Sequence, residues 1–133
     1  MKGWITADTV PRAEKRDVAL PSVIYKISTR GLWDEAERAG MFVGAPVDRA
    51  HGFIHFSDRE QVQETALRHF AGQGDLVLVA VDAAALGAAL RYEPSRGGAL
   101  FLHLYGTLPL SAVRWVKPLA VGPEGHVFPE LES

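Results

Sequence analysis

Apolar and polar positions alternate with period two in several short runs of this chain, and each such run reads as a strand with two distinct faces. From Ser22 to Ser28, Val23, Tyr25 and Ile27 fall on one face and Ile24 and Lys26 on the other. Phe53 to Ser57 puts Ile54 and Phe56 on one face and Phe53, His55 and Ser57 on the other. Ala99 to Tyr105 repeats the design, with Leu100, Leu102 and Leu104 opposite Phe101, His103 and Tyr105. Leu76 to Val81 is apolar throughout and rich in valine, the pattern of a strand covered on both faces. Leu90 to Glu93 and Leu108 to Leu119, around Pro109, read as further strands.

Two stretches carry helical spacing. Leu32 to Ala39 places Trp33 and Ala36 on one side, with Gly40 suited to the C-terminus. Ser57-Asp58-Arg59-Glu60 reads as a capping box opening a helix to about Ala71, with Val62, Ala66 and Phe70 on its stripe. Met41 to Gly52 reads as a loop with Gly44, Pro46, Asp48 and Gly52 as turn residues. Asp82 to Leu90 reads as a short helix or turn, and Pro94 to Gly98 as a loop. Val127 and Phe128 read as a last contact of the turn-rich tail. The order is strand, helix, strand, helix, then mostly strands. That order predicts an α+β domain with a mixed or antiparallel sheet on two main helices, rather than a doubly wound parallel sheet.

Composition narrows the picture. The 133 residues fit one domain, read as residues 22–133, with residues 1–21 as a mobile extension outside the core. Apolar residues make up 47% of the chain, enough for a real core. The formal charge of −2 argues against broad DNA or RNA binding. No cysteine is present, which removes disulfides, thiolate nucleophiles and cysteine-based metal sites. No stretch approaches the roughly 20 apolar residues that span a bilayer, so no membrane partner is expected and the cytoplasm is the default location.

The two mixed strand faces are the strongest candidate chemistry. If they line one cleft, His55 and His103 converge with the hydroxyls of Ser57 and Tyr105 beside aromatic walls, which suits a small-molecule site. Each histidine is also explained as a hydrogen-bonded structural residue, and Ser57 as a helix cap. Arg96, between Ser95 and two glycines, offers a planar guanidinium to phosphate or carboxylate, against an ordinary hairpin turn. No phosphate-binding loop, dinucleotide glycine motif or nucleophile elbow is present. His51 and His55 are four residues apart but are split by Gly52, and no metal is expected.

The runs Ile24-Tyr25-Lys26-Ile27, Trp33 and Ala36 before Gly40, Gly52 to Ser57, Ser95 to Gly98, and His103 to Gly106 together resemble the bacterial family known as domain of unknown function 952. The resemblance covers about Val23 to Leu119. His51 stands where an acidic residue is expected and Leu102 where a proline is expected. The family has no assigned reaction. Its fold is similar to that of the ADP-ribosyltransferases, a split barrel that grips nicotinamide adenine dinucleotide (NAD) between two sheets. The resemblance therefore implies Tyr25 and Lys26 near the cleft as ligand-binding residues, with Ser57, Arg96 and Tyr105, around His55 and His103 as the catalytic pair. It implies a phosphate-bearing small-molecule ligand, with NAD as the candidate cofactor and ADP-ribosyl or phosphoryl transfer as the reaction type. The glutamate used by those transferases has no fixed counterpart, since nothing in the sequence pins Glu93. A non-catalytic nucleotide or anion module and a protein-interaction domain are the alternative readings.

Overall fold

The structure, a computed structural model, describes residues 20–95 and 98–133. Of the extension expected over residues 1–21, residues 1–19 lie outside the described residues, as does Arg96.

The centre of the fold is the valine-rich run, β4 (Leu76–Asp82). It pairs antiparallel on one side with β1 (Val23–Thr29) and on the other with β8 (Val113–Gly122). β9 (Gly125–Val127) extends this sheet to four strands in the order β1-β4-β8-β9. A second sheet of three strands is ordered β3 (Ile54–Phe56), β6 (Leu100–Leu104), β5 (Leu90–Pro94). A two-stranded ribbon joins β2 (Met41–Phe42) to β7 (Leu108–Pro109). Every pairing among these named strands is antiparallel, one of the two arrangements expected.

Because β4 is apolar on both faces, it separates two cores. Val77, Val79 and Val81 face the three-stranded sheet and pack with Ile24, Trp33, Phe42, Ile54, Phe56, Leu102 and Leu104. Leu76, Leu78 and Ala80 face the other way, packing with Val23, Tyr25, Ile27, Val62, Ala66 and Leu119. β1 is thus buried on both faces as well. Its alternation separates two cores rather than core from solvent.

Helix α1 (Arg30–Ala39) starts two residues before the expected Leu32, because the Thr29 side chain accepts from Leu32 N–H at 3.2 Å. It ends as expected at Gly40, which sits at φ 87 and returns its N–H to Ala36 O. The stretch expected as a loop over residues 41–52 instead holds β2 and a short helix, α2 (Pro46–His51). Its signals were local: Pro46 at the first turn, and Gly52 at φ 88 as the stop.

The next helix, α3 (Val62–His69), does not start at Ser57. Ser57 is held extended by a two-way backbone bridge to Tyr25, at 2.8 and 2.9 Å. The reciprocal side-chain bonds fall one residue later and close the turn that leads into the helix, whose N-cap is Gln61: Asp58 Oδ1 accepts from Gln61 N–H at 2.9 Å, and Gln61 Oε1 from Asp58 N–H at 3.4 Å. Residues Ala83–Ala89 form two short 3₁₀ turns kinked at Gly87. In the tail, Phe128 packs on the second core while Val127 is exposed, so half of that expected contact is made.

Candidate functional site

The two mixed strand faces meet on a single sheet. β3 pairs with β6 so that His55 lies directly opposite His103, with Ile54 opposite Leu104 and Phe56 opposite Leu102. The apolar partners turn to the first core, and the histidines share the outward face of the three-stranded sheet. The two imidazoles stand edge-on, with ring centroids 5.5 Å apart. Phe53 stacks on His103 at 4.0 Å and lies 5.3 Å from Tyr105, forming the aromatic wall. The space between the two sheets is filled by the apolar core. The histidine pair therefore sits on the outside of the smaller sheet and not between the sheets, where the resemblance put the cleft.

Each histidine is held by a carboxylate from a different element. Asp48 of α2 has a side chain only 1% exposed, and its Oδ1 accepts from His55 Nδ1 at 2.6 Å and from the His55 backbone N–H at 3.2 Å. Lys26, reaching across from β1, donates to Asp48 Oδ1 at 3.0 Å and lies 2.9 Å from Oδ2. Asp48 Oδ2 also accepts from the Ala45 N–H at 2.8 Å, which ties the start of α2. Burial alone raises the pKa of a carboxyl, but here the hydrogen bond from His55, the Lys26 charge and the Ala45 amide outweigh it. Together they hold Asp48 well below the usual carboxylate range. Burial pushes the Lys26 ammonium downward, against the pull of Asp48.

His55 Nδ1 therefore carries the hydrogen toward Asp48, and Nε2 is directed to the other side. There it meets His51 Nδ1 at 3.0 Å, so one of those two nitrogens donates and the other accepts. The His55 side chain is 35% exposed, whereas that of His103 is 6% exposed beneath Phe53.

The second carboxylate, Glu93 of β5, accepts from His103 Nδ1 at 2.8 Å and from Tyr105 Oη at 2.7 Å. The Tyr105 hydrogen bond, with that of His103, keeps Glu93 below its ordinary value and raises Tyr105. Arg91, opposite His103 in the register, lies over the Tyr105 ring at 5.0 Å. Glu93, which nothing in the sequence pins, is thus fixed by long-range partners.

Of the expected site residues, the fold gathers His55, His103 and Tyr105, with Lys26 behind Asp48. It does not bring Tyr25 or Ser57 to them. Tyr25 turns into the second core, where its hydroxyl donates to Glu132 O at 2.8 Å. The Ser57 hydroxyl bonds to that of Thr65 on α3 at 3.0 Å. Sequence reasoning missed Asp48, His51 and Arg91 as members of the cluster. The one local signal for Asp48 was its place at the third position of a helix begun by a proline, where a carboxylate folds back on the chain. Nothing local announced Lys26 or His55 as its partners.

A family described as "Protein of unknown function (DUF952)" matches residues 27–116. The chain belongs to this family. Among solved structures, the crystal structure of protein CC0527 from Caulobacter crescentus is 50% identical to this DUF952 chain, with a TM-score of 0.75. The match covers 78% of this chain and 91% of that one. The solution NMR structure of CC0527 is likewise 50% identical, with a TM-score of 0.72, over 79% of this chain and 90% of that one. Both were structural-genomics targets. No curated protein matches this DUF952 chain.

Proposed function

We propose that the outward face of the three-stranded sheet is an acid–base site for a small phosphate- or ribose-bearing ligand, with His55 exchanging the proton. The observation that carries this reading is the Asp48–His55 contact at 2.6 Å, which turns the other ring nitrogen of a part-exposed histidine toward His51, a partner that a ligand would displace. An imidazole oriented by a carboxylate through Nδ1 is suited to proton transfer at Nε2. Phe53 and Tyr105 supply the apolar wall, and Arg91 supplies a cation beside it. Arg96, outside the described residues, remains the second candidate for phosphate.

The finer form of this reading is transfer of an ADP-ribosyl or phosphoryl group on an ADP-ribosylation-like split barrel in the cytoplasm, with NAD as the dinucleotide. Glu93, held by His103 and Tyr105, fits the part that a glutamate plays in orienting ribose. A second reading, a nucleotide- or anion-binding module without turnover, is favoured by the enclosure of His103 under Phe53.

A thermal-shift panel of NAD, ADP-ribose, nucleoside phosphates and ribose phosphates tests both. A ligand present at about 100 times its Kd adds about 2.7 kcal/mol of stability, a shift of several degrees. A shift in wild type with turnover that His55→Gln abolishes supports catalysis. Binding that no reaction accompanies selects the module. Silence across the panel overturns both and leaves the protein-interaction reading.

A further inference from the structure

We infer that Lys26 is a positioning residue for His55: by balancing the charge of Asp48 it makes the Asp48–His55 contact a hydrogen bond to a neutral imidazole, not an ion pair. The inference rests on reading His55 as the group that acts on a ligand.

Lys26 is engaged by the protein itself. Its ammonium donates to Asp48 Oδ1 and to the His55 carbonyl, each at 3.0 Å, and Asp48 Oδ2 lies 2.9 Å away in the same ion pair. The Lys26 side chain is 8% exposed. Lys26 is thus enclosed by Asp48 and His55 and is not turned outward as the ligand-binding role expected of it requires. What the ammonium does touch is both oxygens of the carboxylate that orients His55, and the backbone of His55 itself. Lysine and aspartate form one buried neutral pair beneath the imidazole.

That pairing has a consequence for proton transfer. A buried carboxylate without a balancing cation takes its counter-charge from the nearest basic group, and here that group is His55. A histidine locked as an imidazolium against Asp48 cannot accept a proton at Nε2. With Lys26 in place, Asp48 needs only the Nδ1 hydrogen of His55, and Nε2 keeps a lone pair, which accepts from His51 Nδ1 in the absence of a ligand. The other groups facing His55 do not substitute for Lys26. His51 of α2 meets Nε2, and His103 of β6 stands edge-on at 5.5 Å with its own carboxylate, Glu93. Among the described residues, Lys26 is the cation in contact with Asp48 other than His55 itself.

The test is NMR of the His55 ring nitrogens at one fixed, mildly alkaline pH in wild type, Lys26→Met and Lys26→Gln, the last keeping donors without the charge. Wild type is expected to show hydrogen on Nδ1 and none on Nε2. In either folded variant a severalfold larger share of His55 is expected to carry hydrogen on both ring nitrogens at the same pH. A merely structural lysine lowers the melting temperature and leaves that share where it was, and this result in a folded variant overturns the inference. Should neither variant fold, the wild-type spectrum decides, and hydrogen on Nε2 instead of Nδ1 overturns it. Ligand binding and turnover are not read in this experiment. A silent ligand panel therefore sinks the reading of His55 as a catalyst without touching the NMR result, and an unchanged placement of the ring hydrogens in the variants sinks the role of Lys26 alone.

Discussion

Asp48 is the residue on which the site turns. It accepts from Lys26, from the His55 ring and backbone, and from the Ala45 amide, while its side chain is 1% exposed. Its carboxyl binds fewer protons in the folded chain than in the unfolded one, because those donors favour the ionised form. Its contribution to stability is complete above the unfolded carboxyl's ordinary value of about 3.9 and is lost progressively as pH falls toward the lower folded value. Glu93 is shifted in the same direction and adds to the same acid limb. Wild type is therefore expected to lose stability steeply in urea titrations below about pH 4. Asp48→Asn flattens that limb. At neutral pH the same variant leaves the Lys26 charge buried and unbalanced, and a loss of about 3–5 kcal/mol is expected in urea denaturation.

At the scale of elements, burial rather than spacing separates strands of different kinds. Leu102 on β6 is fully buried between the sheets, and Leu67 on α3 is 63% exposed. Leu102→Ala is expected to cost about 2–5 kcal/mol. Leu67→Ala should stay within about 0.5 kcal/mol, so equal losses in chemical denaturation would contradict the packing described. Ser57 shows how an element boundary escapes local reading. Its sequence context is that of a helix cap, yet the bridge to Tyr25 keeps it extended, and the helix opens only after the turn closed by Asp58 and Gln61. Residues 46–51 show the reverse case. Proline and glycine bracket a helix there, but so short a segment with one buried residue, Asp48, carries no apolar period to reveal it.

At the scale of the molecule, two cores lie on opposite faces of the four-stranded sheet, and the histidine cluster stands outside the smaller sheet. The tail closes the second core: Phe128 and Leu131 pack on it, and the Tyr25 hydroxyl accepts from Glu132 N–H at 2.6 Å. Removing residues 128–133 is expected to lower the melting temperature by several degrees, as a loss of 1–2 kcal/mol does in a domain of roughly this size. The His55 ring resonances should not move, because the first core separates them from the tail. A changed His55 spectrum in that truncation would show the two cores to be coupled.

By itself the sequence determined the α+β class, the central double-faced strand, and the sorting of His55, His103 and Tyr105 onto mixed faces. Those properties follow from period-two and period-3.6 patterning, which is local. No helix among the described residues is long and apolar enough to cross a membrane. Tertiary structure decided which faces meet, because strand register brings together residues far apart in the chain, as with His55 and His103. It also decided the chemistry of the cluster. Asp48 looked like a turn residue and Glu93 an unanchored acid; each is defined by partners from other elements, which no local pattern encodes. Tyr25 is the converse. Its strand face was legible, but Val62 and Ala66 of α3 and Leu119 of β8 share a core with that face, which makes it interior rather than a cleft wall.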